Sequence, residues 1–410
     1  MKYLFTLLFI STYTFSFSQI RTLDYFLQQA EQNSPVLKEY QAQILSIKID
    51  SQLLSASLRP QVNFISTTSY APIIHGYGYD EAISNIANVS ALIQANRNYI
   101  SRNNLFAQYQ TIALQNRALL DTIQLSQRDL VRTITDQYIT AYGNLLTADY
   151  NREVFDLMQR EESILKKLTQ STVYKQTDYL TFYVTMQQQE LTYLQAQIQY
   201  NQDYLTLNYL AGVVDTSIQR IEKINIADTL EQDFYNTVFY NRFITDSLRL
   251  QNRKTLIDLE YKPRLGAYSD AGYNSTLHRT PYKNFGFSFG VSLVIPIYDG
   301  KQKILKQSQL SILEKTRQNN KEYTLNQYRQ QQALLKQQLK SIDLLVNKIN
   351  KQIEYTHTLM VANGKLLETG DITMKDYVIA VSTYLSAQSL LSQNSISRLR
   401  ILNQLAYWNR

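Results

Sequence analysis

Proline is absent from two long stretches of this chain, and that absence limits the folds open to it. The 6 prolines among the 410 residues leave residues 73–262 and 297–410 without one, and glycine is also scarce, with 11 residues. Because proline and glycine most often interrupt helices, these stretches permit unusually long ones. The sequence therefore predicts long helices and disfavours a loop-rich fold.

The apolar residues between positions 104 and 170 are spaced as in one long helix. Gly143 is the single glycine of that stretch. Apolar residues recur there at alternating spacings of about four and three residues, which indicates a coiled-coil-like seam. They include Ile134, Tyr138, Ala141, Leu145 and Ala148. With a rise of about 1.5 Å per residue, such a helix would span roughly 100 Å.

Further helices complete two antiparallel helical hairpins. Their predicted ranges are 178–210, 301–367 and 373–408. Gly364, Gly370 and Asp371 indicate the joint of the second hairpin, because such residues favour helix ends and turns. Thr373 followed by Asp376 three residues later resembles a capping box, which predicts the start of the last helix.

Two halves of the chain share landmarks in the same order, at an offset of about 200 residues, which is typical of an internal duplication. The matched pairs are Leu58-Arg59-Pro60 with Tyr261-Lys262-Pro263, Val89-Ser90 with Val291-Ser292, Asp178-Tyr179 with Asp376-Tyr377, and Leu207-Asn208-Tyr209-Leu210-Ala211 with Leu402-Asn403-Gln404-Leu405-Ala406. We therefore predict a first repeat over residues 19–212 and a second over 213–410.

The first 18 residues have the order of charge, apolar core and small residues that is typical of a secretory signal. The apolar segment is short for a membrane-spanning helix, which needs about 20 residues, although an N-terminal anchor stays an alternative. No later segment approaches such a length of consecutive apolar residues. If the chain crosses a membrane, we expect it to do so with strands.

The segment 285–297 alternates between apolar residues and small or polar ones, which predicts a strand. A strand with lipid outside and a water-filled lumen inside shows this pattern, and so does a half-buried strand of a soluble sandwich. The predicted lipid-facing residues are Phe285, Phe287, Phe289, Val291, Leu293 and Ile295.

Weaker alternation predicts three more strands, with an interruption at Ser66 in the first. The candidates are 62–70, 89–94 and 265–273. Four tilted strands cannot close on themselves, and an open sheet edge is not tolerated in hydrocarbon. A membrane barrel built from these strands would therefore have to be shared between several copies of the chain.

Several short motifs resemble those of the TolC-like outer-membrane efflux family. They are Leu58-Arg59-Pro60-Gln61-Val62, Ile295-Pro296-Ile297-Tyr298-Asp299-Gly300, the stretch 370–376, and the repeated Leu-Asn-x-Leu-Ala endings. The resemblance covers nearly the whole chain after the predicted signal. It implies a mainly α fold with transmembrane β structure, in which duplicated strand-pair and long-helix repeats form a shared outer-membrane β-barrel and a periplasmic α-helical barrel.

The resemblance also implies a function and an assembly. We expect a homotrimer with a twelve-stranded barrel in the outer-membrane lipid of a Gram-negative bacterium. It would be a passive conduit for substrates delivered by an inner-membrane transporter through a periplasmic adaptor.

The resemblance further implies a tunnel-tip turn at Gly370 and Thr373 and a pore entrance with carboxylates from Asp376, Asp178 and Asp371. Each carboxylate has a simpler alternative role: Asp376 would cap a helix, Asp178 would be a solvated helix-start residue, and Asp371 would serve the turn.

The two repeats differ at the tip, which puts the first one in doubt as part of the entrance. Thr172 and Lys175 stand where the second repeat has Gly370 and Thr373. Ile372 also stands where some members of the family have a basic residue that helps to lock the entrance. The contacts that close this tip are therefore expected to differ.

Other functions have little support in the sequence. Without cysteine there is no disulfide or zinc–thiolate site, and the 3 histidines lack metal-ligand spacing. The charge of +7 includes no long Lys/Arg run, so nucleic-acid binding is disfavoured. We predict no catalytic residue, cofactor or metal site. A periplasmic coiled-coil adaptor and a surface-exposed fibre are the alternatives to a channel.

Overall fold

The computed structural model describes residues 21–78, 86–227, 232–277 and 280–409, and helices dominate them. The first half contains α1 (Leu23–Asn33), α2 (Pro35–Ser57), β1 (Gln61–Ala71), β2 (Ile86–Tyr99), α3 (Arg102–Gln170) and α4 (Gln176–Leu210). The second half contains α5 (Val238–Glu260), β3 (Arg264–Ser275), β4 (Phe285–Val294), α6 (Gln302–Thr369) and α7 (Met374–Asn409). The predicted signal segment 1–18 lies outside the described residues.

The same order of elements occurs twice: helix, strand, strand, long helix, shorter helix. It runs from α2 to α4 and again from α5 to α7, and the long helices α3 and α6 have 69 and 68 residues. The predicted long helices are therefore confirmed. The duplication, with its boundary at residue 212, stays a prediction.

The chain forms two compact units. One, the helical unit, comprises the chain up to Leu37, Ser126–Gln232 and the chain from Gln327 onward. The other, the sheet unit, comprises Lys38–Leu125 and Asp233–Asn326. Each unit draws segments from both halves of the chain, so the units do not correspond to the predicted repeats.

The sheet unit contains an antiparallel sheet with the strand order β1-β2-β3-β4. Its two hairpins come from different halves of the chain, and the pairing of β2 with β3 joins them. Within the described residues, β1 and β4 are edge strands with no partner on their outer sides. The amides and carbonyls along both edges are therefore left without ladder hydrogen bonds.

The strand register places the large apolar side chains of β4, except that of Val294, on one face of the sheet. Phe64, Ile93, Ala271 and Phe287 form one transverse row of that face. Phe287 is 81% exposed, so none of the described residues covers it. The sheet therefore has a bare apolar face.

The predicted strand ends were partly wrong. β4 stops at Val294, so Ile295 is not a strand residue. Pro296 explains this, because it has no amide hydrogen to donate and it restricts the residue before it. β2 has no proline at the matching position and runs on to Tyr99, well beyond the predicted range. Ser66 does not interrupt β1.

The helical unit has an aromatic core around Phe26. The ring of Phe26 is fully buried and meets the rings of Tyr138 and Tyr204 edge-on, at centroid distances of 6.0 and 6.1 Å. The Tyr138 hydroxyl donates a hydrogen bond of 2.8 Å to the Glu222 carbonyl oxygen. Helix α1 is therefore joined to α3, α4 and the segment after α4 by one packed cluster.

The repeated Leu-Asn-x-Leu-Ala endings each place an asparagine inside the helical unit. The Asn208 amide donates to the carbonyl oxygen of Asp215 at 2.8 Å and accepts from Arg21. The Asn403 amide donates to the carbonyl oxygen of Arg132 at 3.0 Å and to the carboxylate of Asp136 at 2.8 Å. Buried amides need such partners, which gives the motif a structural role.

We expect Phe26→Ala to lower the free energy of unfolding by about 3–5 kcal/mol, because the substitution leaves a cavity among rigid aromatic neighbours. The Phe26→Leu variant keeps much of the volume and should lose less. Thermal unfolding followed by circular dichroism compares the purified proteins, and equal midpoints for wild type and Phe26→Ala would contradict this account of the core.

Candidate functional site

The turn between α6 and α7 is the site that the sequence predicted as a tunnel tip. Gly370 adopts a left-handed conformation with φ of +82°, and its amide donates to the Leu367 carbonyl oxygen at 3.2 Å. The Asp371 amide donates to the Leu366 carbonyl oxygen at 2.9 Å. These bonds form a Schellman motif, which ends α6 and in which glycine carries no steric penalty.

Asp376 and Thr373 cap the start of α7 reciprocally. The Asp376 amide donates to the Thr373 hydroxyl at 3.3 Å, and the Thr373 amide donates to the Asp376 carboxylate at 3.3 Å. The capping box is therefore observed. Asp371 accepts a hydrogen bond of 2.6 Å from the Thr369 hydroxyl within the turn. The carboxylates of Asp371 and Asp376 are both exposed. Their charges therefore stay in contact with solvent although each forms hydrogen bonds in the turn.

The turn between α3 and α4 has the same backbone path with different side chains. The Thr172 amide donates to Thr169 at 3.1 Å and the Val173 amide to Leu168 at 3.0 Å, which is again a Schellman motif. Here Thr172, a β-branched residue, occupies the left-handed position with φ of +65°. Lys175 stands at the N-cap of α4 without a capping side-chain bond, and Asp178 is half-buried in the first turn.

The two turns contact each other through Tyr174. Its hydroxyl lies 3.0 Å from the carbonyl oxygens of both Leu367 and Ile372, and its one hydrogen is shared between them. A β-carbon added at Gly370 would lie 3.0 Å from Cγ1 of Val173. Burial raises the pKa of Tyr174, and the charges of Asp371 and Asp178 raise it further. The structure thus groups both turns and two of the predicted carboxylates around one tyrosine.

A buried carboxylate lies close to the same ends of α3 and α6. Glu161 is 9% exposed, and its Oε2 atom has no hydrogen-bond partner among the described residues. Burial raises the pKa of Glu161, the charge of Glu368 adds to the rise, and Arg160 opposes it. Gly364 was predicted to lie at the joint between the helices, but it lies inside α6. A β-carbon added there would be 3.5 Å from the Tyr377 ring.

Neither a metal centre nor a helical membrane span is found in the part of the chain that the structure describes. No group of three or more His, Asp and Glu residues is arranged to hold a metal ion there. None of the described helices is long and apolar enough to pass through a bilayer.

Comparison with solved structures identifies the fold. CusC, whose structures are described in terms of transmembrane channel formation, has a TM-score of 0.76 at 11% identity, covering 94% of this chain and 92% of CusC. The outer-membrane protein VceC of Vibrio cholerae has a TM-score of 0.73 at 12% identity, covering 94% of this chain and 96% of VceC. This chain has the TolC-like channel fold.

A third similar structure is the open state of the MtrE outer-membrane channel of Neisseria gonorrhoeae, with a TM-score of 0.65 at 13% identity, covering 94% of this chain and 88% of MtrE. No protein-family model matches the chain, and no curated protein matches its sequence. The resemblance to TolC-like proteins that the short motifs indicated is confirmed at the level of the fold, and none of these three structures is described as an enzyme.

The two tip turns of this TolC-like fold allow a reciprocal stability test. Thr172→Gly should raise the free energy of unfolding by about 1 kcal/mol, because glycine removes the left-handed strain of a β-branched residue. Gly370→Ala should lower it by about 1–2 kcal/mol, since it adds that strain and crowds Val173. The midpoints of thermal unfolding of the two variants and wild type measure these changes. Effects of the same sign in both variants would contradict the assigned backbone geometry.

Glu161 should make the stability depend on pH. Because its pKa is raised in the folded state, its contribution to stability is fully present at low pH and is lost as pH rises through the folded pKa. Glu161→Gln should therefore raise the unfolding midpoint at neutral pH, and this gain should vanish below about pH 4. Glu153→Gln, at an exposed position of the same helix, is the matched control. A gain independent of pH in Glu161→Gln would refute the explanation.

Proposed function

We propose that this protein is an outer-membrane channel, the passive conduit of a multipart efflux or secretion system. The observation that carries the proposal is the sheet with one bare apolar face. Phe285, Phe287 and Phe289 are 72%, 81% and 80% exposed, an arrangement that is costly in water and favourable in lipid. The similarity of the fold to outer-membrane channels supports the same function.

The open sheet edges favour assembly with other copies. β1 and β4 contain no charged residue and no proline, the features with which soluble proteins protect an edge strand. In hydrocarbon each edge needs a partner strand. We propose a homotrimer in which β1 of one copy pairs with β4 of the next, so that three sheets close a barrel of twelve strands.

Residues at the two ends of the apolar face fit the boundaries of a bilayer. Arg97 is exposed on that face and stacks on the ring of Tyr99 at 5.3 Å, next to the start of α3. Tyr70 and Tyr273 lie towards the other end of the strands. Aromatic and basic side chains are preferred at the interface between lipid and water. The band of phenylalanines between them would then lie within the hydrocarbon.

The helical hairpins supply the second half of the proposal. We infer that α3, α4, α6 and α7 of three copies form a tunnel in the periplasm, and that the tip turns form its entrance. An adaptor in the periplasm and an inner-membrane transporter would deliver the substrate.

Asp376 is the first candidate for a ring of carboxylates at the entrance, with Asp178 and Asp371 as further members. Asp376 caps α7 and is exposed, so capping and lining are compatible roles. A carboxylate from each copy around a narrow opening attracts cations and repels anions, and salt weakens the effect.

Reconstitution of the purified protein into a planar lipid bilayer tests the channel. We expect discrete conductance steps, together with recovery of the protein in the outer-membrane fraction of cells. Recovery in the soluble periplasmic fraction would favour an adaptor or scaffold. An outer-membrane protein without conductance would favour a surface fibre.

Asp376→Asn should lower the preference of the channel for cations, because asparagine keeps an oxygen for the helix cap but removes the charge. Reversal potentials in a salt gradient measure the preference. Asp24→Asn is the matched control, since Asp24 also lies in a first helical turn but far along the chain from the tip. Unchanged selectivity in a conducting Asp376→Asn channel would remove Asp376 from the entrance ring.

A further inference from the structure

The four strands contain three charged residues, and these lie on different faces of the sheet. Arg97, Arg264 and Asp270 are the charged residues of the strands. By the alternation of side chains, Arg97 lies on the apolar face with Phe287, whereas Arg264 and Asp270 lie on the opposite, polar face. Within the four described strands, Asp270 is therefore the one carboxylate on the polar face.

Asp270 is surrounded on this face by uncharged polar groups. The register places Asn63, Gln94, Asp270 and Ser288 in one transverse row. The Ser288 hydroxyl donates a hydrogen bond of 2.7 Å to the Asp270 carboxylate. A serine hydroxyl fixes the carboxylate without neutralising it, so the negative charge stays on the surface.

Asp270 is half-buried, and the two nearest positions of the neighbouring row carry no side chains. That row contains the facing pair Gly272 and Gly286, which have no side chains, and a β-carbon built at Gly286 would meet nothing within 4 Å. Arg264, the one cation of the polar face, is six residues away along β3, which is about 20 Å. That separation exceeds the Debye length of about 8 Å at physiological salt, so Arg264 does not cancel the charge.

We propose that Asp270 forms a second charge-selective ring inside the barrel, with one carboxylate from each copy. This inference rests on the proposed channel function and adds a specificity-determining residue to it. Strands about 4.8 Å apart and tilted by about 40° close a twelve-stranded barrel of about 24 Å backbone diameter. Each carboxylate then lies about 9 Å from the axis, which is close to the Debye length.

The barrel therefore discriminates between permeating solutes more strongly by charge than by size. Cations and cationic substrates are favoured in the lumen and anions are hindered, and the effect is strong at low salt and weak at high salt. The expected preference is moderate because the lumen is wide. It is independent of the tip turns, since Asp270 belongs to the sheet unit.

The test is the reversal potential of Asp270→Asn channels in a KCl gradient. We expect the ratio of cation to anion permeability to fall by about twofold near 0.1 M salt and to change little near 1 M. Asp270→Glu, which keeps the charge, and Ser288→Ala, which removes only the hydrogen bond, should both retain the preference. An unchanged ratio at low salt in conducting Asp270→Asn channels overturns the inference and leaves the channel proposal standing.

The absence of cysteine from the chain permits a second test within one protein. Asp270→Cys channels should gain cation preference when a negatively charged methanethiosulfonate reagent is attached and lose it with a positively charged one. No change with either reagent, where labelling is verified by mass, also overturns the inference. Absence of any wild-type conductance contradicts the proposed function instead.

Discussion

The buried seam between the two helical hairpins is the interaction on which the helical unit depends. Phe182 of α4 and Tyr377 of α7 lie 6.2 Å apart at its centre, within a cluster to which α3 and α6 also contribute. Together with the cluster around Phe26, this seam supplies the apolar burial that opposes the entropy of ordering such long elements. The contact between the tip turns exists because the seam holds their helices together.

Much of the fold could be predicted from local sequence, since the long helices follow from missing proline and β4 from its alternation. Errors arose where one residue changed the outcome, as Pro296 did by ending β4 before Ile295. Tyr174 and Glu161 were missed for another reason. Their importance comes from contacts with α6, almost 200 residues away in sequence for Tyr174, and local patterns carry no signal for such a contact. The cap of α7 was predicted correctly because the pattern of Thr373 and Asp376 is local.

The two tip turns show how one backbone path tolerates different sequences. In the second turn, Gly370 and Thr373 satisfy the left-handed position and the helix start with residues suited to each. The first turn has Thr172 and Lys175 there and keeps the same hydrogen bonds at a higher conformational cost. Tyr174 offsets this cost, because it bonds the carbonyl oxygens of the better-formed turn. The second turn thus supports the first.

The uncharged edges of the sheet have a consequence for any chain whose sheet is in contact with water. β1 and β4 lack the lysines, prolines and bulges that normally prevent edge strands from pairing with unrelated chains. These edges lie beside an apolar face with exposed phenylalanine side chains. In water, such edges promote aggregation by pairing with strands of other chains. In water the chain therefore tends to aggregate for as long as the two sheet edges and the apolar face stay uncovered.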